Sequence, residues 1–168
     1  MASMSEELLM VLTNEMTIYK KLSEHAKNKT QSLVKNKVDE IKEITDKEQI
    51  LISELKKAER KREEILTDLK DVMNDKDLTL SKLVSRLPEN DRKRFVELKS
   101  SILDVLDELR KYNKQNEALI KEGLNITEYT LNAIQTPNRM ETNSYAGEVG
   151  GYGSGSMRNR PRYFESRS

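Results

Sequence analysis

From Met1 to Leu87 the chain contains neither glycine nor proline. These two residues end or interrupt helices most readily, glycine through backbone freedom and proline through its missing N–H. So long a stretch without either predicts helix with few breaks. The spacing of apolar residues then separates one helix from the next. Leu8, Leu12, Glu15, Tyr19, Leu22, Ala26, Lys29 and Leu33 alternate steps of four and three, the heptad-like seam of a first amphipathic helix. A break is expected near Asn36, whose side chain suits the cap of a new helix, with Asp39 and Glu40 in its first turn. The second helix carries Ile41, Ile44, Glu48, Leu51, Leu55, Ala58, Arg62, Ile65, Leu69 and Val72 in the same rhythm, and Ile52 and Leu66 widen the stripe.

After the polar turn "MNDKD", Thr79 is placed to cap a short helix that ends at Pro88. From about Asn90 a third long helix runs through Phe95, Leu98, Ile102, Val105, Leu106, Leu109, Asn113, Asn116 and Ile120. Charged residues make up 35% of the chain and aromatic residues 5%, which fits either disorder or long solvated helices, and the seams decide for helices. The fold class is therefore all-α. It is an elongated antiparallel bundle of three long helices plus one short helix near residues 80–87, with a disordered C-terminal tail.

Helix length locates a boundary. At 1.5 Å per residue the second and third long helices each span about 50 Å, so the third draws level with residue 38 near residue 124. The helical pattern nevertheless continues in "LNITEYTLNAI", with Leu124, Thr127, Leu131 and Ile134 on one face. The expected organisation is a helical bundle over 1–122, an amphipathic extension over 123–136 and a Gly/Tyr/Arg tail over 137–168. Gly123 allows two readings. It is either a tolerated glycine, costing about 1 kcal/mol relative to alanine, or a hinge followed by a new helix capped by Asn125 with Glu128 three residues on. Both leave the stripe without a partner in the bundle, which marks it as a binding surface.

Little here points to catalysis. The formal charge of +1 sets up no field for nucleic acid or anionic lipid. The absence of cysteine removes disulfides, thiolate metal sites and cysteine nucleophiles together. His25 is the only histidine, and no glycine-rich phosphate loop follows a strand. The N-terminus lacks the basic and apolar regions of a secretory signal, and no apolar run approaches the roughly 20 residues that span a bilayer. A soluble cytoplasmic protein, without enzyme activity, cofactor, metal or membrane insertion, is the expectation. The tail arginines Arg158, Arg160, Arg162 and Arg167 alternate with Tyr152, Tyr163 and Phe164, as in weak nucleic-acid-binding tails, but Glu141, Glu148 and Glu165 offset them. Nucleic acid is not an expected partner.

Five polar residues interrupt the seams: Glu15, Glu48, Arg62, Asn113 and Asn116. Charges there must pair or reach the rim. The favoured reading makes them a structural polar seam that sets register, with Glu48 and Arg62 as candidate partners for the two asparagines. The client-binding candidates are Leu119, Ile120, Leu124, Ile126, Tyr129, Leu131 and Ile134, and weak self-association through the same stripe is a secondary expectation.

Glu15 between leucines of the first helix, "IKEITDKEQILISELKKAERKRE" in the second with its internal Arg62, and "YNKQNEALI" in the last occur in an order that resembles the FlgN-type flagellar export chaperones. The resemblance covers roughly residues 5–136. It implies a cytoplasmic type III export chaperone that binds hook-associated proteins of the hook–filament junction through its C-terminal part. Such a chaperone keeps its clients unassembled and delivers them to the export apparatus. The tail after Pro137 departs from the family pattern. Two alternatives come from other classes: another flagellar coiled-coil adaptor, such as the filament-cap chaperone, and a nucleic-acid-associated helical protein.

Overall fold

The structure, a computed structural model, describes the backbone of residues 2–135 and the side chains of residues 4–126, 128, 129 and 131–133. The expected disordered tail over 137–168 and the side chain of Ile134 lie outside the described residues. Four helices follow one another: α1 (Ala2–Val34), α2 (Val38–Met73), α3 (Leu80–Arg86) and α4 (Glu89–Gln135). No strand occurs among the described residues. The all-α bundle read from the seams is the fold observed. The chain divides into two compact units, Met1–Lys121 and Glu122–Ser168.

The turn between α1 and α2 uses Asn36 differently from the sequence expectation. Asn36 adopts φ 54°, in the left-handed region, and closes α1 instead of capping α2. Its N–H donates to the Leu33 carbonyl at 3.1 Å and the next N–H, of Lys37, donates to the Ser32 carbonyl at 2.9 Å. Such closure satisfies carbonyls that the end of a helix leaves bare. Lys37 is the N-cap of α2 and makes no side-chain capping bond, while Asp39 and Glu40 lie in the first turn as expected. The physical reason is that a short amide side chain tolerates the left-handed conformation as well as it caps. Asn74 repeats the device at the end of α2, with φ 50° and the Asp75 N–H on the Lys70 carbonyl at 3.0 Å. Thr79 does cap α3, its hydroxyl accepting from the Lys82 N–H at 3.2 Å. Leu87 is extended, as the residue before a proline must be, and α4 begins at Glu89.

Cross-helix bonds within Met1–Lys121 give directions and register. Glu15 pairs with Arg62 and, fourteen residues on, Lys29 pairs with Glu48, fourteen residues back, so α1 and α2 run antiparallel. Both terminal nitrogens of Arg94 donate to Glu6 at 2.8 Å across 88 residues, and Asn116 reaches Ala26 across 90. The near-constant offset makes α1 and α4 parallel. The Arg94 hydrogen bonds also hold the Glu6 carboxyl below the usual glutamate range.

Burial along the seams is uneven. Leu8, Leu12, Tyr19, Leu22 and Ala26 of α1 are buried with Leu51, Ala58, Ile65 and Leu69 of α2 and Phe95, Leu98, Ile102, Leu106 and Leu109 of α4. Leu78, Leu80 and Leu83 are buried around α3. From Leu33 through Ile50, however, no side chain is fully buried: Ile41, Ile44 and Glu48 are half-covered. Val72, read as the last residue of the α2 seam, is exposed, two residues short of the left-handed Asn74 where the helix is closing. In the second unit, α4 passes through Gly123 and Asn125 without interruption, so no new helix begins with Asn125 as its N-cap. A Cβ placed on Gly123 would meet open space, and no close approach calls for glycine there.

Asn36→Ala should destabilise the protein by about 1–2 kcal/mol, because a Cβ without an amide pays the left-handed penalty in full. Asn36→Gly should match or slightly exceed wild type. Urea unfolding of the two variants checks the difference.

Candidate functional site

The seam charges of α1 and α2 are neutralised in reciprocal pairs. Arg62 Nη1 donates to both oxygens of Glu15, at 2.9 and 2.8 Å, with the two side chains 6% and 0% exposed. Two heptads further along α1, Lys29 Nζ donates to Glu48 at 2.8 Å, again largely out of solvent. The signs are reversed between the two levels: acid on α1 opposite base on α2, then base on α1 opposite acid on α2. Slipping the hairpin by two heptads would bring Glu15 opposite Glu48, two carboxylates in a poorly solvated seam. We infer that these pairs fix the register of the hairpin, a role in which buried polar groups are best attested.

Asn116 belongs to the α1–α4 contact. Its Nδ2 donates to the Ala26 carbonyl at 2.9 Å, and its Oδ1 lies 2.6 Å from the Thr30 hydroxyl. The Thr30 oxygen is also 3.0 Å from the Ala26 carbonyl. A hydroxyl has one proton, so it serves the asparagine or the carbonyl at any instant. The carbonyl can only accept, which orients the amide with its nitrogen toward Ala26. Glu48 bonds to Lys29, Arg62 to Glu15, and Asn116 to the Ala26 carbonyl and the Thr30 hydroxyl of α1. Asn113, three residues earlier, is half-buried. Among the described residues no buried side-chain nitrogen or oxygen lacks a partner.

Glu59 of α2 is half-buried, and burial raises its carboxyl above the ordinary glutamate value against a smaller opposing pull from Arg62. Folding therefore strengthens proton binding at this group. The charged form opposes folding at neutral pH, and the opposition fades as pH falls through the raised value toward that of the unfolded chain.

The stripe candidates fall into two sets. Leu119 and Ile120 belong to the first unit and are half-buried. In the second unit Leu124, Ile126, Tyr129 and Leu131 are 47, 61, 77 and 50% exposed. Other large apolar side chains are exposed too, including Met10, Ile50 and Val96, but they are scattered, whereas these four fall within eight consecutive residues. Among the described residues no cluster of three or more metal-ligating side chains occurs, and no helix is long and apolar enough to cross a membrane. Two shallow clefts lie between α1 and α2; the one beside the turn is lined by Ser32, Glu40 and Ile44 among others, the second by Val11, Ile18 and Ala58.

Sequence reasoning missed Thr30 and the Ala26 carbonyl. Both lie one helical turn apart on the α1 face that α4 covers, and a small residue followed four positions later by threonine was the available signal.

Three long helices, two of them joined by opposed charges inside their seams, define an all-α bundle protein. Over residues 1–148 the chain matches the family model described as FlgN protein, and it belongs to that family, a family of flagellar export chaperones. No curated protein and no solved structure matches the chain.

Two predictions concern the seams. Arg62→Met alone should cost about 3–5 kcal/mol by stranding Glu15, while Glu15→Leu with Arg62→Met should recover most or all of that loss. A double-mutant cycle by urea unfolding measures the recovery. Glu59→Gln should raise the melting temperature at neutral pH, and the gain should vanish as pH approaches the ordinary glutamate value. A melting series across that pH range checks the sign.

Proposed function

We propose that this chain works in the cytoplasm as an export chaperone for hook-associated proteins of the hook–filament junction. It holds them unassembled and passes them to the flagellar export apparatus, without nucleotide, metal or other cofactor. The observation that carries the reading is the run of exposed Leu124, Ile126, Tyr129 and Leu131 on α4. Ile120, Leu124 and Leu131 follow one another along one face at steps of four and seven, which Ile134 extends in the sequence, and Leu119, Ile126 and Tyr129 form a second row on the opposite face at steps of seven and three. A client groove reads such a face as i, i+3, i+4 and i+7 contacts. Fully burying a leucine or isoleucine stabilises by roughly 1.5–3 kcal/mol. Several anchors together support micromolar binding after the cost of ordering the partners.

Residues 123–136 act in this reading as the client-binding extension of the 1–122 bundle, and 137–168 are dispensable for capture. Deleting 123–136 should leave helicity and melting of the bundle nearly unchanged but abolish co-elution with purified hook-associated protein in size-exclusion chromatography. Deleting 138–168 should leave co-elution intact. Unfolding on the first deletion would make the stripe part of the core. Co-elution of the intact chain with a filament-cap protein but with no junction protein would transfer the role to the adaptor alternative.

A further inference from the structure

Within Met1–Lys121, α4 is held to its neighbours in two different ways. Its first half buries five apolar side chains, from Phe95 to Leu109. From Arg110 to Lys121 the one fully buried side chain is Asn116, while Tyr112, Asn113, Leu119 and Ile120 are half-covered. At this level α1 buries Leu22 and Ala26, but α2 from Val38 through Ile50 has no fully buried residue. What Asn116 provides there is directional: one hydrogen bond to the Ala26 carbonyl and one from the Thr30 hydroxyl.

A hydrogen-bonded clasp of this design opens without leaving orphaned groups. The Ala26 carbonyl already accepts the i+4 N–H of its own helix. The Thr30 hydroxyl, 3.0 Å from that carbonyl, turns back to it, and the Asn116 amide goes to water. Because each group exchanges one partner for another, the net cost of parting is small compared with exposing a packed leucine. Regions with few buried apolar contacts are the ones that open below the global unfolding free energy.

We propose that residues 110–121 of α4 form a releasable segment, latched to α1 by Asn116, that parts from the bundle while Phe95–Leu109 stays packed. The use of this opening rests on the client reading above, since it frees the half-buried Leu119 and Ile120 for contact with a client helix. The opening itself does not depend on that reading.

Native-state hydrogen exchange on the full chain tests it without any client. Amides of residues 111–121 are expected to exchange roughly tenfold or more faster than those of residues 98–109, through local opening. Asn116→Leu should slow the faster set alone, because leucine adds apolar burial and leaves Thr30 bonded to Ala26. Asn116→Asp should speed the same set alone, because its carboxylate faces a carbonyl oxygen with no proton to offer. Equal exchange in the two segments overturns the latch, and so does a gradient along α4 that neither substitution changes. Failure of the chain to bind a hook-associated protein leaves these outcomes untouched, so the two ideas fail separately.

Discussion

A carboxylate and a guanidinium enclosed between two helices must lie opposite each other, because either one alone would be a bare charge in a medium that solvates it poorly. Glu15 is wholly covered and Arg62 nearly so, and a single nitrogen of the arginine serves both carboxylate oxygens. That contact fits one displacement of α2 along α1. The reversed pair Lys29–Glu48 makes the same displacement the only one in which both levels are neutral. With the hairpin aligned, Leu8 to Ala26 and Leu51 to Leu69 present one continuous apolar surface, and α4 can lay Phe95 to Leu109 on it.

The distribution of that apolar surface has dynamic consequences. Leu78, Leu80 and Leu83 in and before α3 are buried, as are Leu8, Leu69 and Phe95 of the long helices. Toward the α1–α2 turn the filling gives way to half-covered isoleucines, ion pairs and the Asn116 contact. Apolar packing is nondirectional and resists separation in proportion to area, whereas hydrogen bonds trade partners readily. One end of the unit thus rests mainly on apolar packing and the other on directional bonds.

Three long helices, the short one capped by Thr79 and the stop at Pro88 were legible from spacing and breakers alone, because those signals act within a few residues along the chain. Glu15 and Arg62 were legible as charges in need of neutralisation. Asn36 was misread as a cap for α2, since an asparagine that starts one helix and one that closes another look alike in sequence. Gly123 left helix and hinge equally open, and α4 runs through it.

By itself, then, the sequence determined the helical class, the seams and the polar residues inside them, because the heptad period and the lack of glycine and proline are local properties. It also placed apolar residues on one face beyond residue 123, which is a matter of counting. Only the tertiary structure decided which polar group meets which. Lys29 takes Glu48, Glu15 takes Arg62, and Asn116 takes a backbone carbonyl and a threonine on α1. These pairings depend on the offset between helices joined through turns, to within a fraction of a helical turn. No periodic pattern fixes that offset, because sliding a helix by one heptad preserves the pattern and changes every partner.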